Sequence, residues 1–554
     1  MNDLHGHLQP PAGSNGNVYA RPDDPRARDG GTASHDNRLV AIPTGGLAYV
    51  ATHLRRLRAE STANVFVHAG DLTGATPVES AVFHDEPPLL VMNQLGLQYN
   101  AVGNHEFDRG LAELRRFQNG GCFAGERCDG DGGTFPGARF TYLAANVAQQ
   151  SGGTLFPAYD IATIGGERIA FIGMTLKDTP SIVSPRNIQG LSFREEVETV
   201  NALVPELRAK GAGAIVVLVH QGGAPPDDTP YDGCGLDSPP AAGATRQAIV
   251  QIAAGLDPAV DVMVTGHSHR AYVCELSGKL VTSAASYGRI ITAIDLTFDP
   301  ATHRVTKKVA HNVPVTHDVP KDPAVDALVR SYVSASASKA DRVVGHIAVD
   351  LLAEADSDGE SNLGDFIADA MLAATSSATS GGAVVAFMNP GGIRADIRVA
   401  PIGSEPPGTV TYGKIFAAQP FSNILHTVTL TGAQLAEVLE EQFKSEHRPR
   451  VLQPSKGLTY TYEKAARSSD GHHVVAGSLQ INGVPVDPAR SYRVTVSDFV
   501  YNGGDGFRTF REGKDVLVGA VDVEALEKYF ASFGSTPAPA SAPNAGRIRE
   551  KGHH

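Results

Sequence analysis

Tryptophan is absent from this chain of 554 residues, methionine occurs only 6 times, and all aromatic residues together make up 6%. Cores must therefore come mainly from aliphatic side chains, and a chain this long needs two or more of them, which excludes one small module. No stretch approaches the about 18 uninterrupted apolar residues of a membrane-spanning helix, so no membrane span is expected. Positive charge is also short: 47 Lys and Arg against 60 Asp and Glu give a net charge of −13. This balance argues against a partner that is a nucleic-acid polymer, and any phosphate site must depend on metal ions or on individually placed arginines. Cysteine is scarce, and Cys122, Cys128, Cys234 and Cys274 form no CxxC pair. Their even number and loop-like settings predict two disulfides, Cys122 with Cys128 and Cys234 with Cys274, and with them a secreted or periplasmic location.

Glycine and proline are plentiful, at 59 and 35, as in a loop-rich enzyme rather than a helical bundle. Short β-rich apolar runs end in polar residues at 64–71, 98–106, 214–221 and 260–269, with helix-like stretches at 46–60 and 195–211 between them. That alternation predicts a layered α/β sheet covered on both faces. Segment 11–37 is polar and rich in Gly and Pro, and reads as an extended surface loop. After residue 318 the texture changes, and the expected organisation is a catalytic domain over 1–318, a linker helix over 319–345, an α+β domain over 346–535 and a flexible tail with a tag remnant over 536–554. Neither a basic nor an apolar leader segment follows Met1. A leader and a first strand are therefore expected to be missing, which would leave Asp3 and His5 on a weakly anchored end.

The polar tips are Asp3 and His5 in NDLHG, Asp71 in GD, Asn104 and His105 in GNHE, His220 in VHQ, and His267 and His269 in GHSH. Singly, a Gly-Asp is a turn and a strand-end histidine is a hydrogen-bonded loop residue. Together they are a set of oxygen and imidazole donors that the strand ends of an open α/β sheet can bring into one crevice. The set suffices for two divalent transition-metal ions, such as Zn, Mn, Co or Fe, with Asp71 able to bridge them. Two such ions polarise phosphoryl oxygens and acidify a shared water that serves as the nucleophile. His105 can assist the leaving oxygen and Asp108 can orient its ring, although Asp108 also reads as an N-cap of the following helix. The Asp- and Gly-rich stretch 128–137 lacks the downstream Glu of a calcium loop and reads as a turn. In the second half, NPGGIR sets two glycines beside Arg394, so that a backbone can approach a ligand while the guanidinium reaches its oxygens.

This order of motifs resembles the calcineurin-like metallophosphoesterases, and NDLHGH, AGDLTGATP and GNHEFDRG are similar to their 5′-nucleotidase branch. ESNLGDFIADAM, NPGGIRADI, TYGKIFAAQPFSN and SDFVYNGGDGF extend the resemblance to about residue 530. It implies an N-terminal calcineurin-like layered α/β/β/α sandwich and a C-terminal α+β nucleotide-binding domain. By the same resemblance one ion takes Asp3, His5, Asp71 and His269, the other Asp71, Asn104, His220 and His267, and His105 with Asp108 forms the catalytic pair. Phe421 and Phe499 would sandwich a base, Asp505 would accept from the ribose hydroxyls, and Asn389 and Arg394 would complete the nucleotide site. Pro390 stands where the family more often has glycine. An arginine that some members carry after the NLGDFIADA-like helix has no counterpart here.

The expected activity is release of phosphate from nucleoside 5′-monophosphates. A 2′,3′-cyclic nucleotide 2′-phosphodiesterase with 3′-nucleotidase activity shares both domain types. UDP-sugar or dinucleotide pyrophosphatase side activity is also compatible. A nucleotide-binding surface protein without turnover is the alternative from another class, and the intact donor set argues against it.

Overall fold

The computed structural model describes residues 1–11, 13–24, 32–33, 39–123, 134–226, 228–236, 247–401, 405–444, 450–463, 472–534, 537 and 546–551. The chain divides into two compact units, Met1–Ala335 and Ser336–His554, and the division falls inside the helix Pro323–Ala340.

Unit 1 is built on two facing sheets. The larger has six strands in the order Ala271–Leu276, Lys279–Ala284, Val262–Thr265, Ala214–Val219, Glu167–Met174 and Tyr159–Ile164. Its inner strands run parallel and both edges are antiparallel. The smaller consists of the parallel strands Val67–His68, Tyr99–Ala101 and Thr141–Leu143. Alternation along each strand decides which layer a side chain joins. Ile169, Phe171, Val216 and Leu218 pack with Tyr99, Ala101 and Leu143 between the sheets. Their neighbours Ala170, Ile172, Ile215 and Val217 pack under Val200, Val204 and Leu207 of the helix Glu196–Ala209. On the far side, the helices Leu47–Glu60, Glu86–Leu95 and Leu111–Asn119 cover Val102 and Tyr142. The layers are therefore α/β/β/α.

The first residues are firmly anchored. Met1 accepts from Ala69 N, while Asp3 N, His5 N and Gly6 N donate to the carbonyls of Gly70, Asp71 and Leu72. Leu4 and Leu8 are buried in the core. The expected weak anchoring of Asp3 and His5 is thus corrected, because the backbone of 67–72 supplies the pairing. Segment 11–37 is not loop throughout either. Asn17–Ala20 pairs antiparallel with Val40–Pro43, because Val18 and Ala20 have a core to enter.

Unit 2 holds a mixed five-stranded sheet in the order Gln453–Pro454, Val385–Met388, Ser491–Ser497, Ile424–Thr431 and Lys514–Val521. Leu435, Val438 and Leu439 of the helix Gly432–Glu441 close one face, and Thr431 and Gln434 form a capping box at its start. The helix Asn362–Thr375 is capped by Ser361 and contacts the helix Asp522–Ala531 through Phe366 and Phe530. The tail expected over 536–554 does not extend over its last described part. Ile548–Glu550 pairs parallel with Leu458–Tyr462, and buried Arg547 is held by Asp369, Asp365 and the carbonyl of Pro454. Cys234 is bonded to Cys274 in an edge strand of the larger sheet. Cys128, and with it the Cys122–Cys128 pairing, lies outside the described residues, as does most of 128–137. Among the described residues no helix is long and apolar enough to cross a membrane.

Candidate functional site

Parallel strands of unit 1 deliver the polar tips at their C-terminal ends, the edge where open α/β sheets place ligands. Asp71 follows Val67–His68, Asn104 and His105 follow Tyr99–Ala101, His220 follows Ala214–Val219, and His267 and His269 follow Val262–Thr265. Asp3 and His5 join them along the backbone of 70–72. Three groups of donor atoms result: Asp3, His5 and His269; His5, Asp71 and His105; Asp71, His220 and His267.

The distances show how closely they converge. His5 Nε2 lies 3.0 Å from His269 Nε2, 3.6 Å from Asp71 Oδ2 and 3.9 Å from Asp3 Oδ1. His269 Nε2 is 3.4 Å from Asp3 Oδ1, and His220 Nε2 is 2.9 Å from Asp71 Oδ2. His267 Nδ1 is 3.0 Å from Asn104 Oδ1. His5 Nδ1 and His220 Nδ1 each sit 2.8 Å from a backbone carbonyl, of Gly74 and Ala69. If those nitrogens carry the protons, both Nε2 lone pairs face the cluster, as metal-bound imidazoles require. His220 Nε2 is buried without a well-formed hydrogen bond. A buried imidazole nitrogen beside carboxylates and an amide oxygen is a donor set that fits divalent transition metals.

Burial alone would raise the Asp71 carboxyl, but His220, His105 and His5 around it hold it well below its usual value. Burial disfavours charge on His220 too, yet Asp71 and Asp3 push its ring up to about 10. Burial and the neighbouring His220 bring His267 down to about 3.

The backbone is strained where the donors sit. Asp3, His5, Asp71, His267 and His269 all have positive φ, between 48° and 68°. Such residues cost on the order of 1 kcal/mol or more each and cluster at functional sites. Close approach explains two neighbouring glycines. A Cβ at Gly103 would lie 2.2 Å from Asp71 Oδ1, and one at Gly266 would lie 2.8 Å from Asp3 Oδ2.

His105 Nδ1 is 2.8 Å from Asp108 Oδ2, and His105 N donates to Asp71 Oδ1 at 2.9 Å. Asp108 does not cap the next helix, because Gly110 occupies that position. Sequence reasoning passed over Glu106. Its buried carboxylate accepts from the backbone N–H groups of Asp71 at 2.9 Å, Leu72 at 2.7 Å, Thr73 at 3.3 Å and Gly103 at 2.6 Å. It ties the Asp71 loop to the Asn104 loop. The signal was present in GNHE, directly after Asn104 and His105.

In unit 2, Asn389 follows the strand Val385–Met388, and its Nδ2 donates to Asp505 Oδ2 at 2.8 Å. The Arg394 guanidinium lies 5.9 Å from the centre of the Phe421 ring. Phe499 packs against the core beside Gly504, where a Cβ would come within 2.5 Å of its ring. No sequence motif marked Arg450, whose Nη1 reaches Asp505 Oδ1 at 3.2 Å.

Residues 1–271 match the calcineurin-like phosphoesterase family model, and 343–512 match that of the 5′-nucleotidase C-terminal domain. The chain is 31% identical to Endonuclease YhcR of Bacillus subtilis over 93% of its own length and 39% of that protein. It is 30% identical to Cell wall protein Lmo0130 of Listeria monocytogenes over 90% of its own length and 65% of that protein. It thus spans under two thirds of both relatives. A 5′-nucleotidase precursor from Thermus thermophilus superposes with a TM-score of 0.74 at 27% identity, over 100% of this chain and 99% of that one.

Proposed function

We propose that the chain, which belongs to the 5′-nucleotidase family of calcineurin-like phosphoesterases, is a hydrolase of phosphoric esters that releases phosphate from nucleoside 5′-monophosphates at a dinuclear metal site. The observation that carries this reading is the convergence of Asp3, His5, Asp71, Asn104, His220, His267 and His269 beside the His105–Asp108 pair. Asp3, His5, Asp71 and His269 would hold one divalent ion, and Asp71, Asn104, His220 and His267 the other. When bound, the two ions would supply Lewis-acid polarisation of the phosphoryl group and acidify water.

The remaining chemistry belongs to the chain. Asp108 accepts from His105 Nδ1–H, and the ring in its protonated form gives its Nε2 proton to the leaving 5′-oxygen and is left neutral. Glu106 keeps the Asp71 and Asn104 loops in register through four backbone donors. In unit 2, Phe421 and Phe499 stack on the base, Asp505 accepts from the ribose hydroxyls, and Asn389 and Arg394 complete the nucleotide contacts. Stacking tolerates any base, so several nucleotides serve as substrates. An oxidising location, secreted or periplasmic, agrees with the Cys234–Cys274 bond and with a relative named as a cell wall protein.

Phosphate release from AMP, 3′-AMP and 2′,3′-cyclic AMP by one preparation tests the proposal, with metal content measured before and after chelation. About two ions per chain, chelator-sensitive turnover and the highest kcat/KM on AMP are expected. Preference for the cyclic substrate would make this a cyclic phosphodiesterase instead. A relative named as an endonuclease is the reason to include single-stranded DNA and RNA as substrates.

A further inference from the structure

Asp505 is held closely by its surroundings in unit 2. Its side chain is only 10% exposed, and its backbone sits at φ 57° between Gly503 and Gly506, each at φ 90°. Asn389 Nδ2 occupies Oδ2 and Arg450 Nη1 occupies Oδ1. An ionised carboxylate has about four acceptor positions, so each oxygen keeps one for a further donor. Two parallel acceptors of this kind match the two hydroxyls of a vicinal diol.

Arg450 is itself fixed. Its N–H donates to Gln442 O at 3.0 Å, just past the helix Gly432–Glu441, and the Gln442 side chain accepts from Leu452 N at 2.7 Å. The guanidinium therefore reaches Asp505 from an anchored backbone. Burial pushes the Asp505 carboxyl up, towards a neutral acid that would donate rather than accept, while Arg450, Asn389 and Arg394 oppose that. Arg450 also adds a second guanidinium to the surroundings of Asp505, besides Arg394.

We propose that Arg450 is a positioning residue for nucleoside recognition: it holds Asp505 in the orientation that accepts from a ribose diol, and so sets the preference for ribonucleosides over 2′-deoxyribonucleosides. This rests on the reading of Asp505 as the ribose acceptor.

The test is calorimetric titration of the metal-free full chain with adenosine and with 2′-deoxyadenosine, which needs no turnover. One lost hydrogen bond to a charged acceptor is worth about tenfold in affinity, so the wild type favours adenosine by about that factor. Arg450→Met brings the ratio of the two affinities close to one, and Arg450→Lys restores most of it. Asp505→Asn also abolishes the ratio, and thermal melts confirm that each variant is folded. If Arg450→Met weakens both nucleosides equally, or leaves both unchanged, while Asp505→Asn abolishes the ratio, Arg450 has no positioning role and the ribose reading stands. If the wild type binds neither nucleoside, or Asp505→Asn keeps the wild-type ratio, the ribose reading fails and the proposal falls with it.

Discussion

Replacing Glu106 with glutamine tests whether this carboxylate organises the candidate metal site. Oε2 accepts from Asp71 N and Gly103 N, and Oε1 from Leu72 N and Thr73 N. Glutamine keeps one oxygen and puts an NH2 where the other stood, so two buried backbone donors then face a donor. Hydrogen bonds to charged groups contribute about 1.5–3 kcal/mol each, so losing two predicts destabilisation on the order of 3–6 kcal/mol. That is a large share of the about 5–15 kcal/mol of a typical domain. Burial and the charge of Asp71 push the Glu106 carboxyl up to about 7, so the measurement belongs at pH 8, where it is ionised. Urea unfolding is followed by circular dichroism, with chelator present to remove stabilisation by bound metal. The chain has two units, and only the transition of unit 1 should move, leaving that of unit 2 as an internal reference. Glu106→Asp keeps the charge but is one methylene short, and should fall between the two. An unchanged midpoint and slope for unit 1 in Glu106→Gln would refute the reasoning.

His105→Ala should lower kcat on AMP by about two to four orders of magnitude with metal content retained, as measured by steady-state kinetics and elemental analysis; loss of metal would make His105 a ligand instead. Cys234→Ser with Cys274→Ser opens a cross-link spanning 40 residues, for which chain entropy predicts about 4 kcal/mol lost, read by denaturant unfolding under non-reducing conditions. Burial, then Glu360, raise the Asp365 carboxyl to about 9 against Arg547, so the folded chain holds a proton that the unfolded chain has released above the ordinary value of 3.8. That contribution is fully present below 3.8 and is lost as pH rises towards about 9. Asp365→Asn should therefore gain stability relative to the wild type from pH 5 to pH 9, and a constant difference across that range would count against the assignment.

Much of this protein is legible in one dimension because its strands end where its chemistry begins. The runs ending at Asp71, Asn104, His220 and His267 announce both the alternating α/β order and the donor set, since strand period and ligand type are local properties. The helix-like stretches at 46–60 and 195–211 form the helices Leu47–Glu60 and Glu196–Ala209. What tertiary structure alone decided depends on neighbours far away in the chain. Asp3 and His5 are held by the backbone of 70–72, which no reading of the first residues could supply. Glu106 matters because four N–H groups from two loops converge on it, and backbone donors carry no sequence signature. Arg450 meets Asp505 across 55 residues, and Arg547 meets Asp369 across 178, in a segment whose composition reads as tail. Composition and period fix which residues can form an element or bind an ion, whereas the partners of a buried charge follow from the packing of distant segments.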